Sequence, residues 1–300
     1  MTSPETPHRQ PVLRFAPSPN GELHLGHALS ALVTYETAQR LGGRFLLRIE
    51  DIDPVRSRRV WIDGIFRDLE WLGLRWETPV LQQSEHLADY RTAAARLEEM
   101  GLLYPCFASR AEILALTRDG PSDPDGAPLY PGLHRRLPRD EVDRRKGAGA
   151  PHVMRLNMVA AVEIARARLG GEPLGFTEGA TRVTADPARW GDVVLQRKDT
   201  PTSYHLSVVV DDARQGITHV TRGLDLLAAT DLHRLLQVLL EHPEPVYAHH
   251  RLMTDAGGRK LAKSARDTSL RHLRETGATP SQVRRLVDLD RALHDMAALT

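Results

Sequence analysis

Residues Pro17 to Ala28 read PSPNGELHLGHA. Two prolines and an Asn-Gly pair make a stiff turn. Two histidines three residues apart follow it, with Gly26 between them. The flanking residues decide what fold this turn belongs to. Before it, Leu13 to Ala16 reads as a short buried strand. After it, from Gly21 to about Leu41, apolar residues recur at Leu25, Ala28, Leu29, Leu32 and Val33 with the period of a helix, and Gly42-Gly43 stops it. RFLLRIEDID, Arg44 to Asp53, is a second strand running into acids, and Pro54 ends it. Strand, helix, strand at this spacing is a βαβ unit of a parallel sheet. Ligands of such sheets bind beyond the carboxyl ends of the strands, where PSPNG and EDID should lie.

His24 and His27 share one face of the first helical turn. Free backbone N–H groups and the helix dipole favour an anion there. Gly26 removes a side chain where something flat must approach the backbone. The combination suits a nucleotide whose phosphates lie at the helix start. A metal pair or two surface histidines are the alternatives. A metal would need a third ligand with a supporting shell, and none is evident.

The chain has 300 residues, enough for one large or two ordinary domains. Its start, MTSPETPHRQP, is polar and lacks the apolar core of a secretory signal, and no apolar run is long enough to span a bilayer. The expectation is a soluble, cytoplasmic protein with no membrane partner. Cys106 is the single cysteine, which excludes an intrachain disulfide and fits a reducing compartment. A net charge of +1 neither advertises nor excludes a nucleic-acid partner. The kind of cation says more. Lysine occurs only at 146, 198, 260 and 263, so 40 basic residues less 4 leaves 36 arginines. Two of the four lysines stand in KLAKS, Lys260 to Ser264, and a compact ammonium suits phosphate.

Helical patterns run around Arg58 to Leu72 and His86 to Met100. Residues 117 to 151 are turn-rich, and short mixed pieces follow to about Trp190. TSYHLSVVVDD, Thr202 to Asp212, reads as a buried strand with an acidic end. ITHVTRG, Ile217 to Gly223, reads as another strand, and DLLAATDLHRLLQVLLEH as an amphipathic helix. VYAHHRLM leads into TDAGGRKLAKS, a loop hinged at Gly257-Gly258, and the tail from Asp267 is helical.

HLGH and KLAKS resemble the HIGH and KMSKS signatures of class I aminoacyl-tRNA synthetases. With RFAPSPNGELHLGHA, RIEDID and YHLSVVVDDARQGITHVTRG they resemble the glutamyl and glutaminyl branch. Four segments in order, from residue 14 to residue 264, carry the likeness. Only 36 residues follow Ser264, too few for the anticodon-binding domain of a full glutamyl-tRNA synthetase. The chain is therefore expected to resemble the truncated glutamyl-Q tRNA(Asp) synthetase family. The resemblance implies an α/β fold: a Rossmann-like (HUP-type) parallel-sheet domain in two halves, residues 1–103 and 191–245. A small α+β domain would be inserted at 104–190, and 246–300 would form the KMSKS-like loop and a short helical C-terminal segment. A monomer is the default, since nothing resembles a sticky helix seam.

The resemblance also implies the chemistry. Glutamate and ATP, with Mg²⁺ on its phosphates, would form glutamyl-adenylate, and glutamate would pass to the queuosine base in the anticodon of tRNA(Asp). Arg14, Ser18, Glu50, Tyr204 and Arg222 match the family's glutamate site. An α-ammonium needs an anion, which Glu50 offers, and carboxylates suit the forks of Arg14 and Arg222. Pro17, Gly21, His24, Gly26, His27, Lys260 and Lys263 are the expected ATP contacts, with His24, His27 and Lys263 serving the reacting phosphates. The family often binds zinc in the insertion through a Cys-x-Cys pair, a tyrosine and a further cysteine. Here Ala108 replaces the second cysteine, leaving Cys106, Tyr130 and His134, so zinc is not expected. RLPRDEVDRRKG, Arg136 to Gly147, reads as a solvated helix face, with an RNA-backbone contact left open. Three other readings stay open: an HxGH-type nucleotidyltransferase, a 3′-end aminoacylating enzyme, and a non-catalytic paralogue.

Overall fold

The structure, a computed structural model, describes residues 10–118, 120–253, 269–296 and 299. Strand β1 (Val12–Phe15), helix α1 (Leu25–Arg40) and strand β2 (Arg44–Ile49) form the expected unit, with β1 and β2 parallel and Leu13 opposite Phe45. Side chains alternate along both strands. Leu13, Phe15, Phe45, Leu47 and Ile49 join the core under α1, whereas Val12 and Leu46 join a second cluster on the other face. Both faces are apolar because both are covered, which is why these strands read as continuous hydrophobic runs. Gly43 permits the close approach of β1 and β2: a Cβ there would meet the Pro11 carbonyl oxygen at 2.7 Å.

Helix α2 (Arg59–Trp71) and short strand β3 (Leu81–Gln82), parallel to β2, extend the sheet on one side. Helix α3 (Leu87–Glu99) follows. The chain then leaves the sheet for β4 (Leu103–Cys106), α4 (Arg110–Thr117), α5 (Arg139–Gly147), β5 (Val153–Leu156) and α6 (Met158–Arg168). Next come β6 (Gly175–Glu178), β7 (Thr181–Thr184) and β8 (Val194–Gln196). Strands β4, β5 and β8 form an antiparallel sheet of their own. Strands β6 and β7 form a hairpin that hydrogen-bonds elsewhere.

Its partner is the returning half of the parallel sheet: β9 (His219–Gly223) and β10 (Val246–His250), separated by helix α8 (Ala229–Leu240). β9 and β10 are parallel, and β6 joins β10 in parallel with Glu178 opposite Tyr247. The Thr218 N–H donates to the Val12 carbonyl at 3.0 Å, so β9 lies beside β1. The strand sequence across the molecule is thus β3-β2-β1-β9-β10-β6-β7, a Rossmann-like order that reverses at β1/β9. Helices α9 (Leu270–Glu275), α10 (Pro280–Leu286) and α11 (Leu289–Asp295) close the described chain. Val283, Val287, Ala292 and Leu293 share the core of α1, β1 and β2.

One element differs from its sequence reading. Thr202 to Asp212 is not a strand: Tyr204–Arg214 is a helix, α7. Seven consecutive residues, Leu206 to Asp212, are buried. The helix lies against α3 and α8, with apolar partners on both sides. A short apolar run buried all round carries no readable period, and the Val208-Val209-Val210 triplet favours strand by local propensity. Tertiary burial overrides that preference. A smaller difference lies at the start of α1, which begins at Leu25, with His24 as its cap.

Candidate active site

The site is a cavity of about 550 Å³ at the carboxyl ends of β1, β2, β9 and β10. Arg14, Pro17, Ser18, His24, Gly26, His27, Glu50, Tyr204 and Arg222 all line it, so nearly every candidate residue of the described chain converges there. Gly21 does not. It lines a separate small cleft with Glu22, Trp61 and Asp68, because the turn carries it to the outer side of the α1 start. Lys260, Lys263 and Gly257-Gly258 lie outside the described residues. Their flanks are at the cavity: Leu252 and Met253 line it, and the Leu270 N–H donates to the Leu23 carbonyl at 2.8 Å.

The two histidines cap the helix they begin. His24 Nδ1 accepts the Gly26 N–H at 3.1 Å, and His27 Nδ1 accepts the His24 N–H at 3.2 Å. This is a capping box built from imidazoles. With both Nδ1 atoms accepting, the ring protons sit on Nε2 as donors. Gly26 serves this geometry. A Cβ there would stand 3.0 Å from His24 Cε1, so the flat group that approaches the backbone is the His24 ring itself.

Beneath the Arg14 and Glu50 wall of the cavity lies a buried charge network that sequence reading missed. Arg14 donates to Asp212 through Nε (2.9 Å) and Nη2 (3.3 Å). Arg48, fully buried, donates to Asp212 at 2.8 Å and lies 3.5 Å from Glu50 and 3.9 Å from Asp211. Gln83 and Tyr90 donate to Asp211 at 2.7 and 2.9 Å. Two guanidinium groups therefore face three carboxyl groups. Burial pushes the Glu50 carboxyl up to about 7, against the pull of Arg48 and Arg14. For Asp212 burial acts in the same upward direction, yet Arg14 and Arg48 hold it below the usual carboxylate range. Burial outweighs the cations for Asp211 as well as for Glu50, and of these two acids Glu50 is the one that faces the cavity. The fork of Arg14 belongs to Asp212, so Arg14 is a structural cation at the cavity wall before it is a ligand contact. The only sequence signal for this network was the acidic pair that ends VVVDD.

Arg222 has the opposite surroundings. It donates to His249 Nε2 (3.0 Å), His233 Nδ1 (3.0 Å) and Thr230 Oγ1 (2.6 Å). Among the described residues it forms no ion pair within 4.0 Å. A guanidinium keeps its proton, so each ring nitrogen facing it must be an acceptor and both imidazoles are neutral. Burial and the Arg222 charge lower the proton affinity of His233 well below the ordinary histidine value, and burial lowers that of His249. Arg222 is only 5% exposed, and no acid among the described residues pairs with its charge directly.

The donor set around Cys106 does not fit a tetrahedral zinc ion. Cys106 Sγ donates to the Tyr130 hydroxyl at 3.3 Å, which also accepts the His134 N–H at 3.0 Å. His134 Nδ1 accepts the Phe107 N–H at 3.2 Å. Cys106 Sγ, the Tyr130 hydroxyl and His134 Nδ1 are each engaged within the protein, and Ala108 brings no ligand, so the set falls short of four. Helix α5 has no buried residue; its Arg144 and Arg145 both bond Glu141. Among the described residues no group of three acids, histidines or cysteines is poised for any metal, and no helix is long and apolar enough to cross a membrane.

The sheet reverses at β1/β9 with an imidazole-capped helix at the switch point, and comparison with known proteins identifies this core as that of a class I tRNA synthetase. The family model of tRNA synthetases class I (E and Q), catalytic domain, matches residues 11–290. The glutamyl-Q tRNA(Asp) synthetase of Rhodobacter capsulatus is 46% identical over 284 residues, covering 93% of this chain and 100% of that protein. That of Symbiobacterium thermophilum is 41% identical, covering 90% of this chain and 83% of that one. The crystal structure of glutamate-tRNA synthetase from Elizabethkingia anophelis is similar, with TM-score 0.77 at 25% identity over 97% of this chain. This chain spans 65% of its length. The chain belongs to the glutamyl-Q tRNA(Asp) synthetase family.

Proposed function

We propose that the protein activates L-glutamate with ATP and transfers it to the queuosine base of tRNA(Asp). Membership of the class I synthetases implies ATP use. The observation that carries the amino-acid assignment is the pairing of opposites across one cavity: an acid without full compensation, Glu50, and a guanidinium that no described acid contacts, Arg222. Glutamate supplies the complements. Its α-ammonium goes to Glu50 and its side-chain carboxylate to Arg222, with Tyr204 and Ser18 as neutral partners. Arg14, anchored by Asp212, sets the positive wall beside the α-carboxylate.

ATP lies with its phosphates over the start of α1, where the Nε2–H groups of His24 and His27 are donors. Mg²⁺ accompanies the triphosphate and supplies charge neutralisation there, with hard oxygen ligands from phosphate and water. The glutamate α-carboxylate oxygen attacks the α-phosphorus in line. The bond to the bridging oxygen breaks and pyrophosphate leaves. The protein contributes positioning and charge stabilisation, not a nucleophile. An acceptor hydroxyl then attacks the activated carbonyl, loses its proton and expels AMP. Lys260 and Lys263 are assigned to the phosphates by family resemblance alone.

The test is ATP–pyrophosphate exchange in the absence of RNA. Exchange that depends on glutamate, and not on glutamine, is the expected result. Transfer of labelled glutamate to tRNA(Asp) with queuosine, and none to the same tRNA lacking it, tests the acceptor. Charging of the 3′ end of either tRNA would replace the acceptor assignment.

A further inference from the structure

We propose that Glu178 and His249 are positioning residues for substrate selection: they hold Arg222 through a neutral imidazole, so that its charge remains available to a carboxylate ligand. This deepens the glutamate reading and rests on it. Glu178 stands on β6, in the hairpin that reaches the sheet from the stretch between its two halves, opposite Tyr247 of β10. Its carboxylate takes two hydrogen bonds from one residue. Oε1 accepts the His249 backbone N–H and Oε2 accepts His249 Nδ1–H, each at 2.8 Å. The His249 side chain is fully buried. Its other nitrogen, Nε2, accepts from Arg222 Nε at 3.0 Å.

The direction of every proton in this chain is forced. Arg222 can only donate, so His249 Nε2 must accept, its proton is on Nδ1, and Glu178 is the acceptor that holds it there. Glu178 thus acts on Arg222 at one remove. A carboxylate in the place of the imidazole would form an ion pair with Arg222 and cancel the charge that a ligand needs. A hydroxyl or amide at position 178 would leave the tautomer undefined. With the proton on Nε2, His249 would point a donor at a donor and push the guanidinium from its place. The other two anchors, His233 and Thr230, are neutral as well, and His233 passes its own Nε2–H to His205 Nδ1 at 3.2 Å. The result is a cation fixed at three points by neutral groups, with the Glu178 carboxylate held one imidazole away, which suits discrimination between an acid and its isosteric amide.

The experiment is glutamate-dependent pyrophosphate exchange by Glu178→Gln, with KM measured separately for glutamate and ATP. The amide offers one acceptor where two donors need one. The expected result is a rise of about tenfold in KM for glutamate, a similar fall in preference over glutamine, and an ATP KM within about twofold of the unmodified protein. An unchanged glutamate KM overturns the proposal. So does a parallel loss in both substrates with a lowered melting temperature, the mark of a merely structural role. Nitrogen-15 spectroscopy of the histidines in the unmodified protein provides a reading that needs no variant. His249 protonated on Nδ1 alone at neutral pH supports the proposal, and a proton on Nε2 overturns it. Absence of glutamate-dependent exchange in the unmodified protein would instead sink the functional reading, leaving the tautomer to decide the Arg222 cage.

Discussion

Arg222 and Glu50 set the terms at the scale of single residues. Replacing Arg222 with alanine removes a cavity cation that has no acid within 4.0 Å among the described residues. Activation of glutamate should fall by about 3 kcal/mol or more in kcat/KM, while ATP affinity measured by calorimetry stays the same. In the proposed reaction Glu50 sets the pH dependence. Burial pushes its carboxyl up to about 7. The charged form, proposed to receive the ammonium, dominates above that value. Lowering the pH through 7 should therefore weaken kcat/KM for glutamate by about tenfold per unit once well below it. Burial keeps His205, His233 and His249 neutral to below the ordinary histidine range, so they do not explain that limb. Glu50→Gln should abolish the dependence at a low constant rate. Gly26 provides a third test. Alanine is favoured over glycine within a helix by about 1 kcal/mol, so Gly26→Ala should keep or raise thermal stability. Its Cβ would press on the His24 ring and should lower the activation rate by about tenfold. Unchanged turnover would mean the cap geometry of His24 is irrelevant to the phosphates.

At the scale of elements, α7 ties the two halves of the sheet together. It contributes Asp211 and Asp212 from consecutive positions, one toward Gln83 and Tyr90, the other toward Arg14 on β1 and Arg48 on β2. Removing Asp212 leaves the buried Arg14 without its carboxylate and Arg48 with only the longer contacts to Glu50 and Asp211. Asp212→Ala should cost about 3–5 kcal/mol in urea unfolding, more than a surface ion pair could account for. Strands β1 and β2 and helix α1 were readable from local sequence because their period, stops and turn agree with their environment. Helix α7 was not, since its local preference and its burial disagree. The fork between Arg14 and Asp212 joins residues 198 positions apart, and nothing local reports it.

At the scale of the whole molecule, the C-terminal helices are part of the catalytic core. Val283, Val287, Ala292 and Leu293 bury against α1 and the first strands, on the face opposite the α3, α7 and α8 cluster. Leu293→Ala should therefore destabilise the protein by about 2–5 kcal/mol although it is remote from the cavity. Pyrophosphate exchange well below the melting temperature should be unaltered. A loss of activity without a loss of stability would mean that α11 acts on the site directly. Ser269 forms an isolated bridge with His24, so the segment entering these helices also touches the imidazole cap.

Sequence alone indicated the chemistry expected at this site. A turn, two histidines and a helix start suit a phosphate-binding edge through short-range geometry, and family resemblance singled out Glu50 and Arg222 as the acid and the cation of an amino-acid pocket. The tertiary structure decided how those charges stand. Whether a guanidinium is neutralised or left exposed to a ligand depends on what the fold packs around it: Asp212 for Arg14, imidazoles and a hydroxyl for Arg222. That difference comes from desolvation and proton direction among residues distant in the chain, which no local pattern encodes.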